Sequence, residues 1–250
     1  MTPPQENLPE KSLSEAFKKA KQIAADTLGL LGHAKLVPFD GLEFTDPWLE
    51  WWLDKKGPTK PSRIFMLQDW GNVKNYNLDT GGSTTRRDRV RLVERYLGSR
   101  EDPTCRALID KLHLARLSET TLIMNAVWGL RPSDDRVTGY LGAAVHTRSL
   151  PVWSHILKWA ACAGEPKPKV FFCGEWAKFD QRSEFEPEAL GDVMQKWQTW
   201  AQKRCRDEVS RKLVNNIHPT DFSGMPCWTI PHPSTWGRSY NAFAVNAGLE

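Results

Sequence analysis

The chain has 250 residues, 40% hydrophobic and 26% charged, with a formal net charge of +4. That is the balance of a globular protein of one large or two small domains, and it excludes fibrous and disordered classes. No apolar run approaches the ~20 residues of a membrane helix, and the opening MTPPQENLPEKSLSEAF lacks the apolar stretch of a signal peptide, so an intracellular, cytoplasmic location is expected.

In chain order, residues 1–12 read as a disordered tail and 13–250 as a single domain. Ser12-x-x-Glu15 is a capping box ahead of a helical run from about 13 to 31. The stretch 36–47 reads as loop, and Asp46-Pro47 starts a short helix, PWLEWWLDKK. RIFMLQDW is a strand-type run, followed by a polar loop over 71–85. Helices are expected over 86–97, with Val90, Val93 and Leu97 on one face, and over about 103–113. TTLIMNAV is the second strand. SLPVWSHILKWAACAG is a helix with Pro151 in its first turn, and KVFFCG is the third strand. A long helical region covers about 187–213. MPCWTIPHPS holds the fourth strand, and RSYNAFAVNAGL is a closing helix.

Four strands too apolar to have a wet face alternate with helices. The pattern predicts a three-layer α/β/α sandwich around a four-stranded parallel sheet. Ligands of such sheets bind at the carboxyl ends of the strands. The polar residues there are Gln68 and Asp69, Asn125, Gly174 and Glu175, and His232 and Ser234. Each alone has an ordinary structural role, as a cap, a satisfied loop amide or a core histidine; their convergence at matching strand ends points to one rim.

The charge is uneven. Residues 86–100 carry six Arg against Asp88 and Glu94, and residues 196–213 carry six basic residues against Asp207 and Glu208. Taken singly these are solvated helix faces; as a pair on a near-neutral body they fit a polyanion partner. The five cysteines are widely spaced with no Cys-x-x-Cys, which disfavours a disulfide framework, a zinc site and an iron–sulfur cluster.

Four segments together resemble the uracil-DNA glycosylase superfamily. IFMLQDWGN is similar to the motif Gly-Gln-Asp-Pro-Tyr, with Gln68 and Asp69 in register. LIMNAVWGLR resembles the strand carrying the base-reading asparagine, IPHPSTWGRS the His-Pro-Ser-Pro-Leu-Ser signature, and VFFCGEWAKF the intervening strand. The resemblance spans about residues 63–240 in order and leaves the first ~60 residues without a recognised motif. It implies a uracil-DNA glycosylase-like fold and a monofunctional DNA glycosylase that flips out a pyrimidine and hydrolyses its N-glycosidic bond, with no metal or cofactor. The carried-over roles are Asp69 holding a water and offsetting the cationic sugar, His232 stabilising the departing base, and Asn125 reading the base edge. The backbone amide of Gln68 assists at a base oxygen, and Ser234 and Arg238 meet phosphates.

Departures bear on the substrate. Gly71 stands where the family's tyrosine walls off the C5 position, and its absence implies room for a C5-modified pyrimidine, such as a modified base of phage DNA, beside uracil; a defence role would follow. Trp70 replaces a proline and Leu67 the leading glycine. Glu175 replaces a phosphate-contacting serine, and Tyr76 is the nearest substitute for the stacking phenylalanine. Trp236 takes the place of the leucine that wedges into the stack. Arg86 and Arg87 open the basic segment after the active-site loop and are expected at DNA. A monomer bound to DNA is expected, nucleoid-associated and away from membranes. The alternative is a non-catalytic nucleic-acid-binding protein that retains the fold. A nucleotide-binding α/β enzyme is disfavoured because no glycine-rich phosphate loop follows a strand.

Overall fold

The computed structural model describes residues 12–39, 41–57, 59–82, 85–99, 102–112, 121–132, 141, 143–173, 220–222, 225–230 and 232–236. Its helices are α1 (Leu13–Leu28), α2 (Pro47–Lys55), α3 (Val73–Thr80), α4 (Arg86–Ser99), α5 (Pro103–Leu112) and α6 (Ala143–Cys162). Its strands are β1 (Arg63–Leu67), β2 (Thr121–Asn125), β3 (Lys169–Cys173), β4 (Thr220–Phe222) and β5 (Met225–Ile230). The expectations for Gly174, Glu175, Cys205, Arg238, the basic segment 196–213, the helices at about 187–213 and at the C-terminus, and the tail over 1–11 lie outside the described residues.

The strands form one sheet in the order β2-β1-β3-β5-β4. β1 runs parallel to β2 and β3, and β5 runs parallel to β3. The four expected parallel strands are therefore present, and a short fifth strand, β4, adds an antiparallel edge paired to β5. Side-chain alternation sends successive residues of each strand to opposite faces. Ile64, Met66, Leu122, Met124, Val170 and Phe172 pack with α1 and α6. Phe65, Leu67, Ile123, Phe171, Cys173, Trp228 and Ile230 pack with α4 and α5 on the other face. Helices on both faces make three layers, which is why these strands carry no polar stripe.

The helix patterns follow from the same burial. Leu13, Ala16, Phe17, Ala20, Ala24 and Leu28 form the buried stripe of α1, at spacings of three and four residues. The capping box forms as expected, Ser12 and Glu15 exchanging backbone-to-side-chain hydrogen bonds of 3.1 and 3.3 Å. Two expectations need correction. The polar stretch over 71–85 is not all loop: Asn72 caps α3 by accepting from the Asn75 amide at 2.9 Å, and left-handed Gly81 ends it. Pro151 lies inside α6, which begins eight residues earlier, rather than in its first turn.

The basic segment on α4 is not uniform either. Arg86 and Arg87 are exposed, but Arg89 is 1% exposed. Its Nε and Nη2 donate to both oxygens of Glu50 at 2.6 and 2.8 Å, and Nη2 also meets Glu43 at 2.8 Å. Glu50 is itself fully buried and accepts from the Thr45 hydroxyl at 3.0 Å. Arg89 thus fastens α4 to α2 and is no part of a DNA footprint. Removing one partner of such a pair strands a buried charge, so Arg89→Ala is expected to cost about 3–5 kcal/mol in urea denaturation. Arg86→Ser and Arg87→Ser should stay within about 0.5 kcal/mol of the parent.

Candidate active site at the carboxyl ends of the strands

The loops leaving β1 and β2 run side by side beyond the sheet. The Ala126 and Val127 amides donate to the Leu67 and Gln68 carbonyls, each at 2.8 Å; Arg131 N–H donates to the Gly71 carbonyl at 2.8 Å, and Val73 N–H to the Arg131 carbonyl at 3.0 Å. Gly129 sits under Leu36, whose Cγ would lie 2.8 Å from an added Cβ, so only a glycine permits this approach. Gly71 has φ +117°, where a side chain is strained. This backbone requirement accounts for the glycine without an open wall beside a base.

Asp69 stands on the first of these loops, and its carboxylate is 6% exposed. Its Oδ1 accepts from the Gly71 amide at 2.8 Å and from Arg131 Nε at 3.3 Å, and its Oδ2 from Arg131 Nη2 at 2.8 Å. The carboxylate expected to hold a water and face a sugar is therefore clamped by a guanidinium. Arg131 was missed as a site residue although it closes the quoted segment LIMNAVWGLR; its signal was a lone charge at the end of an apolar loop. His146 of α6 is buried beside it, and burial, helped by the Arg131 charge, pulls its imidazole down to about 3.

Asn125, the last residue of β2, is 1% exposed. Its backbone N–H donates to Asp46 Oδ2 at 2.7 Å and its Nδ2 to Asp46 Oδ1 at 3.1 Å, while its Oδ1 is buried with no hydrogen-bond partner. The expected base reader thus has its amide nitrogen engaged from within the protein. Asp46 also caps α2 through the Trp48 amide at 3.2 Å. Burial raises its carboxyl to about 8, against the three donors that favour the anion. The sequence marks Asp46 as a helix start; nothing local announces a partner 79 positions away.

His232 precedes a 3-10 turn, Pro233–Thr235, that packs on α5. Its Nδ1 accepts from the Ser234 amide at 3.3 Å and lies 2.8 Å from the Ser234 hydroxyl. An accepting Nδ1 places the proton of the neutral ring on Nε2. Burial lowers its pKa, opposed by the negative charges of Asp102 and Asp69. The structure therefore brings His232 and Asp69 to one rim, with Gln68 half-buried between β1 and Asp69.

Two aromatic expectations are corrected. Trp236 is fully buried, its ring 6.2 Å from Phe65 in an edge contact, and so fills the α4–α5 side of the core instead of projecting as a wedge. Tyr76 is 2% exposed against Phe39 at 5.2 Å and presents no stacking face at the rim. The half-buried aromatic beside the site is Trp70, 5.7 Å from Trp48 and 5.8 Å from Tyr96. Ser234 is exposed, as a phosphate contact would require. Among the described residues no group of three or more His, Cys, Asp or Glu is placed to hold a metal, and no helix is long and apolar enough to cross a membrane. No family model matches the chain, and no curated protein matches it.

The buried titratable groups predict a pH profile of stability. Asp46 binds its proton more tightly folded than unfolded, so its contribution is full below about 4 and is lost as pH rises toward about 8. His146 has the opposite sign, since its folded-state pKa lies below the unfolded 6.5: its contribution grows between about 3 and 6.5. The two slopes offset up to about pH 6.5. From there to about 8 Asp46 acts alone, at up to ~1.4 kcal/mol per pH unit. Urea midpoints should fall across that window in the parent and stay level in Asp46→Asn.

Proposed function

We propose that the chain is a monofunctional DNA glycosylase that flips out a pyrimidine, uracil or a C5-modified one, and hydrolyses its N-glycosidic bond to leave an abasic site. The observation that carries this reading is the Ser234 N–H donating to His232 Nδ1, which leaves Nε2 to carry the proton of a neutral ring at the same rim as Asp69. When a glycosidic bond breaks toward an anionic base, a neutral donor beside the base oxygen stabilises charge that is absent from the ground state. Asn125, at the neighbouring strand end, supplies a buried amide for the Watson–Crick edge. In this reaction Arg131 exchanges Asp69 for a phosphate oxygen, so that the carboxylate faces the cationic sugar and its water.

The clamp on Asp69 specifically favours a second reading. A carboxylate whose two oxygens already accept from Arg131 is the arrangement of a structural anchor, and a nucleic-acid-binding protein without turnover would keep it. The two readings differ in product. Oligonucleotides carrying uracil, thymine, hydroxymethylated or glucosylated pyrimidines, single-stranded and duplex, should yield alkali-labile sites with at least one base. On that substrate His232→Ala should lose roughly 10²–10³-fold and Asp69→Asn roughly 10²–10⁴-fold in excision, with DNA binding retained. Binding without an abasic site on any of them would establish the second reading.

Both readings place phosphates at the exposed start of α4. Affinity for a single-stranded oligonucleotide should fall with salt, and the double variant Arg86→Ser, Arg87→Ser should flatten the slope of log K against log salt by about one to two units. An unchanged slope would assign both arginines to ordinary surface.

A further inference from the structure

Asp46 lies outside every segment that resembles a glycosylase, yet its carboxyl bonds the side-chain amide of the candidate base reader. Its oxygens accept from both nitrogens of Asn125, at 2.7 and 3.1 Å. An ionised carboxylate can only accept, so the amide atom facing it is Nδ2 and the carbonyl oxygen is turned away. That oxygen is buried and has no partner. A buried carbonyl left unmade is costly, and a ligand that donates to it recovers the loss.

We propose that Asp46 is the positioning residue that decides which end of the Asn125 amide meets a ligand. As a carboxylate it holds Nδ2 and presents Oδ1 as an acceptor, and so selects a pyrimidine whose ring N3 carries a proton, a uracil-type edge, over a cytosine-type edge whose N3 itself accepts; as the neutral acid it does the reverse. This rests on the proposed base-excision site and deepens it.

The surroundings of Asp46 make the choice sensitive to protonation. Glu50, one turn along α2, opposes ionisation by its charge; it is in turn paired with Arg89 from α4, which also meets Glu43. The Trp48 amide and Asn125 are the donors on the carboxylate. Burial dominates and lifts Asp46 to about 8. A protonated Asp46 becomes a donor, and the acceptor of the Asn125 amide is Oδ1. The amide then rotates by half a turn, Oδ1 faces Asp46, and Nδ2 is presented instead. Asp46→Asn imposes this second arrangement at all pH values: its NH2, in the place of the oxygen that Asn125 Nδ2 and the Trp48 amide share, donates to Asn125 Oδ1, its carbonyl keeps the Asn125 backbone N–H, and the cap on α2 is given up.

Two measurements test this on the full chain. With asparagine-selective nitrogen labelling, the Asn125 side-chain amide resonance, assigned by its loss in Asn125→Asp, should move with a midpoint near pH 8 in the parent and stay fixed with pH in Asp46→Asn. Binding of single-stranded oligonucleotides bearing one uracil or one cytosine gives the base preference. Measured above pH 8, where the carboxylate form of Asp46 prevails, the uracil-to-cytosine ratio should drop by roughly 10- to 100-fold in Asp46→Asn, the scale of one buried hydrogen bond made or left unmade. Asp46→Ser, which keeps the cap but cannot hold Nδ2 as a carboxylate does, should give an intermediate ratio. A parent resonance that is flat with pH, or a base ratio unchanged in Asp46→Asn, overturns the assignment. If the parent distinguishes neither base and excises neither, the excision reading falls, and the resonance still decides the role of Asp46.

Discussion

The carboxyl group of Asp46 joins parts of the molecule that the chain keeps far apart. As the N-cap of α2 it fixes where that helix begins, and through Asn125 it ties the helix start to the carboxyl end of β2. One turn along, Glu50 of the same helix binds Arg89 and thereby sets α4. The first turn of α4 carries exposed Arg86 and Arg87. A single short helix therefore aligns the amide at the strand end with the basic surface outside it. The first 60 residues, which resemble nothing in the glycosylase motifs, supply that alignment.

How much of this was legible in the sequence depends on the range of the interaction. The parallel sheet was readable because RIFML, TLIMN and KVFFC are apolar at every position between their ends, and only strands covered on both faces need that. The capping box of α1 and the Asp46-Pro47 start of α2 were readable because their partners lie within three residues. β4 was not, since three residues with two polar side chains, Thr220 and Asp221, carry no pattern. α3 was hidden because Asn and Lys at its exposed positions look like loop, and only its cap and the terminating Gly81 define it.

Within the candidate site, residue types were legible and partners were not. Asp69, Asn125 and His232 were placed at strand ends by pattern alone, and they stand there. Their engagement with Arg131, Asp46 and Ser234 depends on tertiary placement, over separations of 62 and 79 residues in the first two cases. Trp236 shows the same limit from the other side. One residue beyond the 3-10 turn, its indole fits a wedge or a core position equally well by sequence, and contact with Phe65 decides for the core.

The electrostatics of the rim separate its inner from its outer part. Inside, charge is cancelled or withheld: Asp69 is paired with Arg131, His146 and His232 are held toward the neutral form by burial, and burial holds Asp46 toward its neutral acid. On the proposed reading, a neutral heterocycle would meet no strong field in such a region, and its edge would be sorted by hydrogen-bond direction at Asn125. Outside, Arg86 and Arg87 keep their charge in solvent, where attraction to a polyanion is long-ranged and blind to sequence. The same low polarity that admits a neutral base strengthens any interaction with charge that develops there later. On the excision reading proposed above, a donor such as His232 Nε2–H would contribute little to holding the base and much to stabilising its departure, which is the difference between binding and catalysis.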